Sequence, residues 1–328
     1  MSPPFKMSGS LNRTQQRGRL MPALENLRAL DLADAQVTLW AIKGPTGAAA
    51  EAPHFSGRWV DTTDEVDAAL KETLAAELAK IEEVIEYSLL AQNNEASALQ
   101  IPTDETHAGL LLDEIAAELD GKKASQINHL LNSKFYVAKF IVDDQIAFAV
   151  RKTEPGWKTK KAASFRNLYF ADEQLAIDDR PHFELSKTFD FIIFGETVLV
   201  RNKGAFESVL RYKSTQREDF VELQAEEAFL AAFVDVAPLV EYVGDNKIQL
   251  RRACAIREKG HFRDAEFMQR LRQNQAEYGL VIQFDDGGKI IATPETCAQI
   301  MKALLDHRLK SGFSTLVYDV QDTTPVQV

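Results

Sequence analysis

Hydrophobic positions change their period several times along this chain. In AQVTLWAIKG (35–44) apolar and polar positions alternate and stop at a Gly-Pro turn signal, which predicts a half-buried strand. Over residues 64–89 the period lengthens. Val66, Leu70, Leu74, Leu78, Ile81, Ile85 and Leu89 recur every three or four residues and predict one long amphipathic helix. Thr62 and Glu65 stand at capping-box spacing at its start. Its opposite face carries Asp64, Asp67, Glu72, Glu82, Glu83 and Glu86. SALQIP (97–102) reads as a short strand, and 105–121 as a second helix closed by Gly121.

From residue 134 the segments become short, aromatic and β-branched: KFYVAKFIV, QIAFAVRKT, SFRNLYF, EQLAI, FDFIIFG and TVLVRN. Asp143-Asp144, Pro155-Gly156 and Gly195 separate them, which predicts an antiparallel meander. Helical periodicity returns in 203–213, 217–235, 237–244 and 264–279. LVIQFDDGGKIIAT (280–293) predicts a small hairpin, followed by a capped helix and a last strand at 314–320. The expected fold class is α+β: a helical N-terminal region, a central antiparallel sheet and a mostly helical C-terminal region. The expected division is a disordered leader over 1–20, an N-terminal α+β domain over 21–133 and a core domain over 134–328. The leader carries Lys6, Arg13, Arg17 and Arg19 and no acid.

Two cysteines, Cys254 and Cys297, make neither a disulfide framework nor a zinc spacing and fit a reducing cytoplasm. The longest apolar runs fall far short of the roughly 20 residues of a membrane span. Charge changes the picture more. The chain carries 49 Asp and Glu against 38 Lys and Arg, yet residues 134–217 hold 15 basic against 11 acidic residues. The remainder is therefore at −15. Within 151–166, Arg151, Lys152, Lys158, Lys160, Lys161 and Arg166 face one carboxylate, Glu154. Such a pattern repels a polyanion from most of the surface and admits it at one place.

No nucleotide-binding, metalloprotease or nucleophile-elbow motif is present, and the six histidines form no i,i+3 or i,i+4 pair. No catalytic, cofactor-binding or metal residue is therefore assigned. Asp190, Glu196 and Lys203 come nearest to a metal-dependent nuclease site. The position two after Glu196, where such a site places its lysine, is Val198. DDGGK (285–289) lacks the further ligands of a calcium loop and fits a hairpin turn. The basic segment fits contact with a DNA backbone: Lys158, Lys160, Lys161 and Arg166 at phosphates, Arg151 and Lys152 at the loop base, Trp157 packing on sugar or base. Arg201 and Lys203, beyond the last strand of the meander, are candidates for the same surface. No base-reading element is visible, so the expected contact is independent of sequence.

LSKTFDFIIFGETVLVRNKGAFESVLRYKS (185–214) joins a strand carrying Phe-Asp, a tight turn, a strand ending near Asn202, and Phe206-Glu207 in a helix with a Tyr. This segment resembles the core of the B subunits of the Kiwa anti-phage defence system. The resemblance covers 130–310 loosely. It implies a cytoplasmic DNA-binding effector, recruited to the inner face of the membrane by a multi-pass membrane protein, the A subunit. Glu82, Glu83 and Glu86 are the expected docking residues for that partner, because cytoplasmic loops of membrane proteins are rich in Lys and Arg. Phe220, Leu223, Phe229, Leu230, Phe233, Leu239 and Val240 crowd together and suggest a homodimer or higher homo-oligomer. A divergent phage-directed enzyme and an assembly subunit without DNA contact are the alternatives.

Overall fold

A computed structural model describes residues 22–47, 52–157, 168–171, 174–177, 183–212 and 216–322. The leader over 1–20 lies outside the described residues, as do Lys158, Lys160, Lys161 and Arg166. The chain forms two compact units, Met1–Glu86 with Asn93–Ser214 and Tyr87–Gln92 with Thr215–Val328.

The first unit is built on a sheet. Its strands are β1 (Gln36–Thr46), β2 (His54–Val60), β3 (Glu83–Glu86), β4 (Ser97–Pro102), β5 (Ser133–Val142) and β6 (Gln145–Trp157). A separate hairpin, β7 (Leu168–Ala171) with β8 (Gln174–Ile177), precedes β9 (Phe191–Phe194) and β10 (Thr197–Val200). The eight-stranded sheet runs β2-β1-β5-β6-β9-β10-β4-β3, antiparallel except for the parallel pair β3–β4. β1 pairs with β5 along seven residues, so the sheet crosses the boundary expected at 133/134. The N-terminal region supplies four strands of this sheet. Its helices are α1 (22–28), α2 (Asp64–Lys80), α3 (Ala108–Glu114) and α4 (Ile127–Leu130), and α5 (Lys203–Val209) follows β10.

Both faces of the sheet are covered, which is why β5 reads as a continuous apolar run. Leu39, Ala41, Tyr136, Ala138, Phe140, Ala149, Ile192 and Leu199 pack with Leu24 and Leu27 of α1 and with Leu70, Leu74 and Leu78 of α2. On the other face Phe191 meets Phe206 of α5 edge-on, with centroids 5.5 Å apart. The long helix expected over 64–89 stops at Lys80. Ile81 is extended, and the amides of Glu82 and Glu83 donate to Ala96 O at 2.7 and 3.2 Å, which leads the chain into β3. Arg28 closes the helix end by donating to Leu78 O at 2.7 Å and to Ile81 O. The second expected helix is shorter too: α3 spans seven residues, and Gly121 lies in a 3-10 turn, Asp120–Lys122.

The second unit contains α6 (Gln216–Ala225), α7 (Glu227–Ala231), β11 (Phe233–Asp235), α8 (Ala237–Val243) and α9 (Lys247–Lys259). α10 (Ala265–Asn274), β12 (Gln283–Phe284), β13 (Ile290–Ile291), α11 (Cys297–Leu304), β14 (Arg308–Lys310) and β15 (Val317–Asp319) follow. The helix expected over 217–235 breaks at Glu226, whose extended backbone separates α6 from α7. Arg263 grips the Glu226 carboxylate with Nε and Nη2 at 2.5 and 2.8 Å and holds that break in place. The expected hairpin forms as β12–β13, and its Asp285 accepts from the Lys289 amide at 2.7 Å. Phe220, Leu223, Phe229, Phe233 and Leu239, five of the residues expected to form an oligomer surface, are buried in this unit's own core. Leu230 stays exposed and Val240 is half-buried.

Candidate nucleic-acid interface

The root of the basic segment belongs to the sheet. β6 runs through Pro155-Gly156 as far as Trp157, so Arg151 and Lys152 are strand residues. They oppose Tyr136 and Phe135 of β5, and the pleat sends their side chains to opposite faces. Arg151 Nη1 donates to Asp190 Oδ1 at 2.9 Å, and the Lys152 amide donates to Asp190 Oδ2 at 2.7 Å. Asn202 Nδ2 also donates to Oδ1, at 3.0 Å, while Asn202 caps α5 by accepting from the Ala205 amide. The Asp190 carbonyl takes the amides of Arg201 and Asn202, each at 2.8 Å. Asp190 is 1% exposed. Burial, the largest influence, pushes its carboxyl pKa up, against the Lys152 amide, Arg151 and Asn202. This one carboxylate therefore fastens β6, β9, β10 and the start of α5 together.

Several expected contact residues are committed elsewhere. Trp157 is 7% exposed; its indole donates to Glu184 O at 3.0 Å and packs on Tyr136 and Phe183, with centroids at 5.6 and 4.7 Å. It is a core residue, not a ring displayed for DNA. The Arg201 head is also enclosed. It donates to Ser97 O and Glu95 O at 2.5 and 2.6 Å and lies 3.5 Å from Glu77, tying β10 to β4 and α2. Lys203 is half-buried at the first position of α5.

The nuclease alternative lacks its geometry. Asp190 precedes β9, whereas Glu196 is exposed in the turn at the other end, where its carbonyl accepts from Thr103. Four or five residues of strand, roughly 13–16 Å, separate the two carboxylates. Among the described residues no group of three or more His, Cys, Asp or Glu is placed to hold a metal ion.

Beside the root of the basic segment the sheet opens. The β1–β2 register shifts between Lys43 and Thr46, around Gly44-Pro45, and the β5–β6 register shifts between Ser133 and Phe135, around Lys134. Irregularities of this kind re-aim side chains and end regular pairing. With the C-terminal end of α5 they border an open cleft of about 760 Å³ lined by Lys134, Lys152 and Arg211 among others. No Asp or Glu is among the described lining residues. Gly44 has φ +124, and a Cβ there would stand 2.8 Å from His54 O, so the wall requires glycine. The sequence signalled Lys152, and Arg211 among the basic residues that follow β10, but not Lys134; that the three border one cleft comes only from the fold.

Residues 130–313, more than half of the chain, match the model of the family described as Kiwa protein KwaB-like. The chain belongs to that family. Membership points to anti-phage defence and to one part of a multi-subunit system. No curated protein and no solved structure matches the chain. The Kiwa region contains β5, β6, the Asp190 fastening and α5, with all three cleft cations. β1 to β4 lie before it, although they complete the same sheet. Glu82, Glu83 and Glu86 also lie outside the matched residues; all three are exposed, Glu83 and Glu86 on the edge strand β3. Among the described residues no helix is long and apolar enough to cross a membrane.

Proposed function

We propose that this chain is the DNA-binding part of an anti-phage defence complex and that it grips the DNA backbone without strong sequence preference. The observation that carries this is the charge of 151–166, six cations against one carboxylate, in a chain at −15 outside residues 134–217. Exposed charges contribute only about 0–1 kcal/mol each to folding, so clustering them brings the fold little. A phosphate backbone gains far more from them through counterion release. The rooted strand supports the reading: Asp190 and the enclosed Trp157 fix both sides of β6 where the basic segment departs. With Arg151 and Arg201 held in ion pairs and carbonyl contacts, the phosphate contacts fall to Lys152, Lys158, Lys160, Lys161 and Arg166.

The same proposal has the chain held at the inner face of the membrane by a multi-pass partner that meets Glu82, Glu83 and Glu86. Glu83 and Glu86 stand on the edge strand β3 and Glu82 just before it, and all three are exposed. Charges there also keep an edge strand from pairing with other chains.

Binding to two duplexes of unrelated sequence tests the DNA contact. The two affinities should agree within about threefold, since no base edges are read. Lys158→Glu, Lys160→Glu and Lys161→Glu combined should remove binding to both. A strong preference for one sequence, or wild-type affinity in the triple variant, would contradict the proposal.

A further inference from the structure

We propose that the tip of the β14–β15 hairpin inserts into the surface of an anionic phospholipid bilayer. The hairpin belongs to the second unit, and its loop, SGFSTL (311–316), carries no charge. Phe313 is fully exposed in that loop, and Leu316 is exposed three residues on. Behind the loop, Leu309 and Tyr318 are cross-strand partners, so their exposed side chains share one face of the ribbon. A Cβ at Gly312 would meet no atom within 4 Å, so open space surrounds this point of the loop. Four large apolar side chains exposed on one short ribbon form the kind of patch that marks contact with a protein or a membrane.

Two observations favour a bilayer over a protein pocket. The first is that the loop satisfies its own donors. The Ser311 amide donates to Leu316 O at 3.1 Å, and Ser311 Oγ accepts from the amides of Phe313 and Ser314 at 3.1 and 3.0 Å. Ser314 Oγ accepts from the Leu316 amide at 3.3 Å. Backbone donors without partners are costly away from water, so a loop bonded within itself can leave water where an open one cannot. The second is charge. The chain is acidic, with 49 Asp and Glu against 38 Lys and Arg, yet residues 307–318 carry Arg308 and Lys310 and no Asp or Glu. Arg308 and Lys302 both pair with Asp319 at 2.7 Å, behind the tip. Lys310, next to the loop, pairs with Glu277 at 3.2 Å, and both side chains are exposed. Such a pair contributes little, so Lys310 can exchange the carboxylate for a lipid phosphate as the tip enters. Tyr318 lies two residues behind Leu316, roughly 7 Å along the strand, where an amphipathic ring suits the headgroup level. The inference rests on neither the DNA contact nor the membrane partner.

The test floats the full chain, without DNA or a partner, on neutral vesicles of phosphatidylcholine and on anionic vesicles that also contain phosphatidylglycerol. The chain should float with the anionic vesicles and less with the neutral ones. Phe313→Ser combined with Leu316→Ser should weaken binding to the anionic vesicles by more than about tenfold. Urea denaturation of that variant should match the wild type, because both side chains are exposed. Lys310→Gln should cost about fivefold on the anionic vesicles and nothing on the neutral ones. Phe313→Trp should keep binding and add an indole emission that shifts to the blue when anionic vesicles are added. Flotation that survives the double serine variant overturns the proposal, as does an added emission that does not shift. Failure of the wild type to float also overturns it and assigns the exposed tip to a protein partner.

Discussion

Asp190 shows how one buried carboxylate sets a local structure. It accepts from Arg151, Lys152 and Asn202, so Asp190→Ala leaves a guanidinium, a backbone amide and a side-chain amide without this acceptor. The expected loss is about 2–4 kcal/mol, reduced from the full cost of a broken buried pair because Arg151 is partly exposed. Urea denaturation measures it, and a loss below about 1 kcal/mol would contradict the fastening role. His307 offers a second handle, in the other unit. Burial and then Lys259 hold its pKa down to about 4, with Arg252 acting the same way and Asp322 and Asp319 opposing. The unfolded histidine takes its proton near pH 6.5 and the folded one does not. Stability present above pH 6.5 is therefore lost as the pH falls toward 4, by on the order of 3 kcal/mol. His307→Gln should flatten that slope, and an unchanged slope would place its origin elsewhere. At this scale the sequence was partly legible. The Phe-Asp strand and Asn202 stood out in the resemblance to the Kiwa B subunits, and both prove to be structural anchors. Trp157 misled, because Pro155-Gly156 reads as a turn while β6 continues through it.

Elements were legible where one period ran uninterrupted. β1, β5, β6, β9 and β10 follow their apolar runs, and the β12–β13 turn follows its Asp-Gly pair. The stripe from Val66 to Leu89 concealed a change of element. Ile81 and Val84 are buried from an extended segment, and spacing alone does not separate that from another helical turn. α9 went unassigned because its buried side is largely small, Ala253, Cys254 and Ala255 beside Leu250 and Ile256, among charged neighbours. Its start is set by Asn246, which accepts from the amides of Ile248 and Gln249 at 2.9 and 3.3 Å. The edge strand β3 carries its own prediction. Changing Glu82, Glu83 and Glu86 to Lys should leave stability within about 1 kcal/mol, because all three are exposed. The same variant should lose co-purification with the proposed polytopic partner in detergent; full capture would move the docking surface elsewhere.

Across the whole molecule the charge asymmetry and the two-unit division come from different layers of information. Charge can be counted in the sequence, but the division at 214/215 depends on β1 to β4 returning to pair around β5, β6, β9 and β10. That Lys134 and Arg211 border one cleft was illegible for the same reason: they are 77 positions apart and are brought to it through two register shifts and one left-handed residue. Backbone contact through the basic segment is the central claim, and a salt titration of DNA binding tests it most directly. For Z neutralised phosphates, log affinity falls against log salt with a slope of roughly −0.9Z. Engagement of Lys158, Lys160 and Lys161 predicts that changing all three to Glu makes the slope shallower by about 2–3 and removes most of the affinity at low salt. The same slope and the same affinity in the folded triple variant would contradict it.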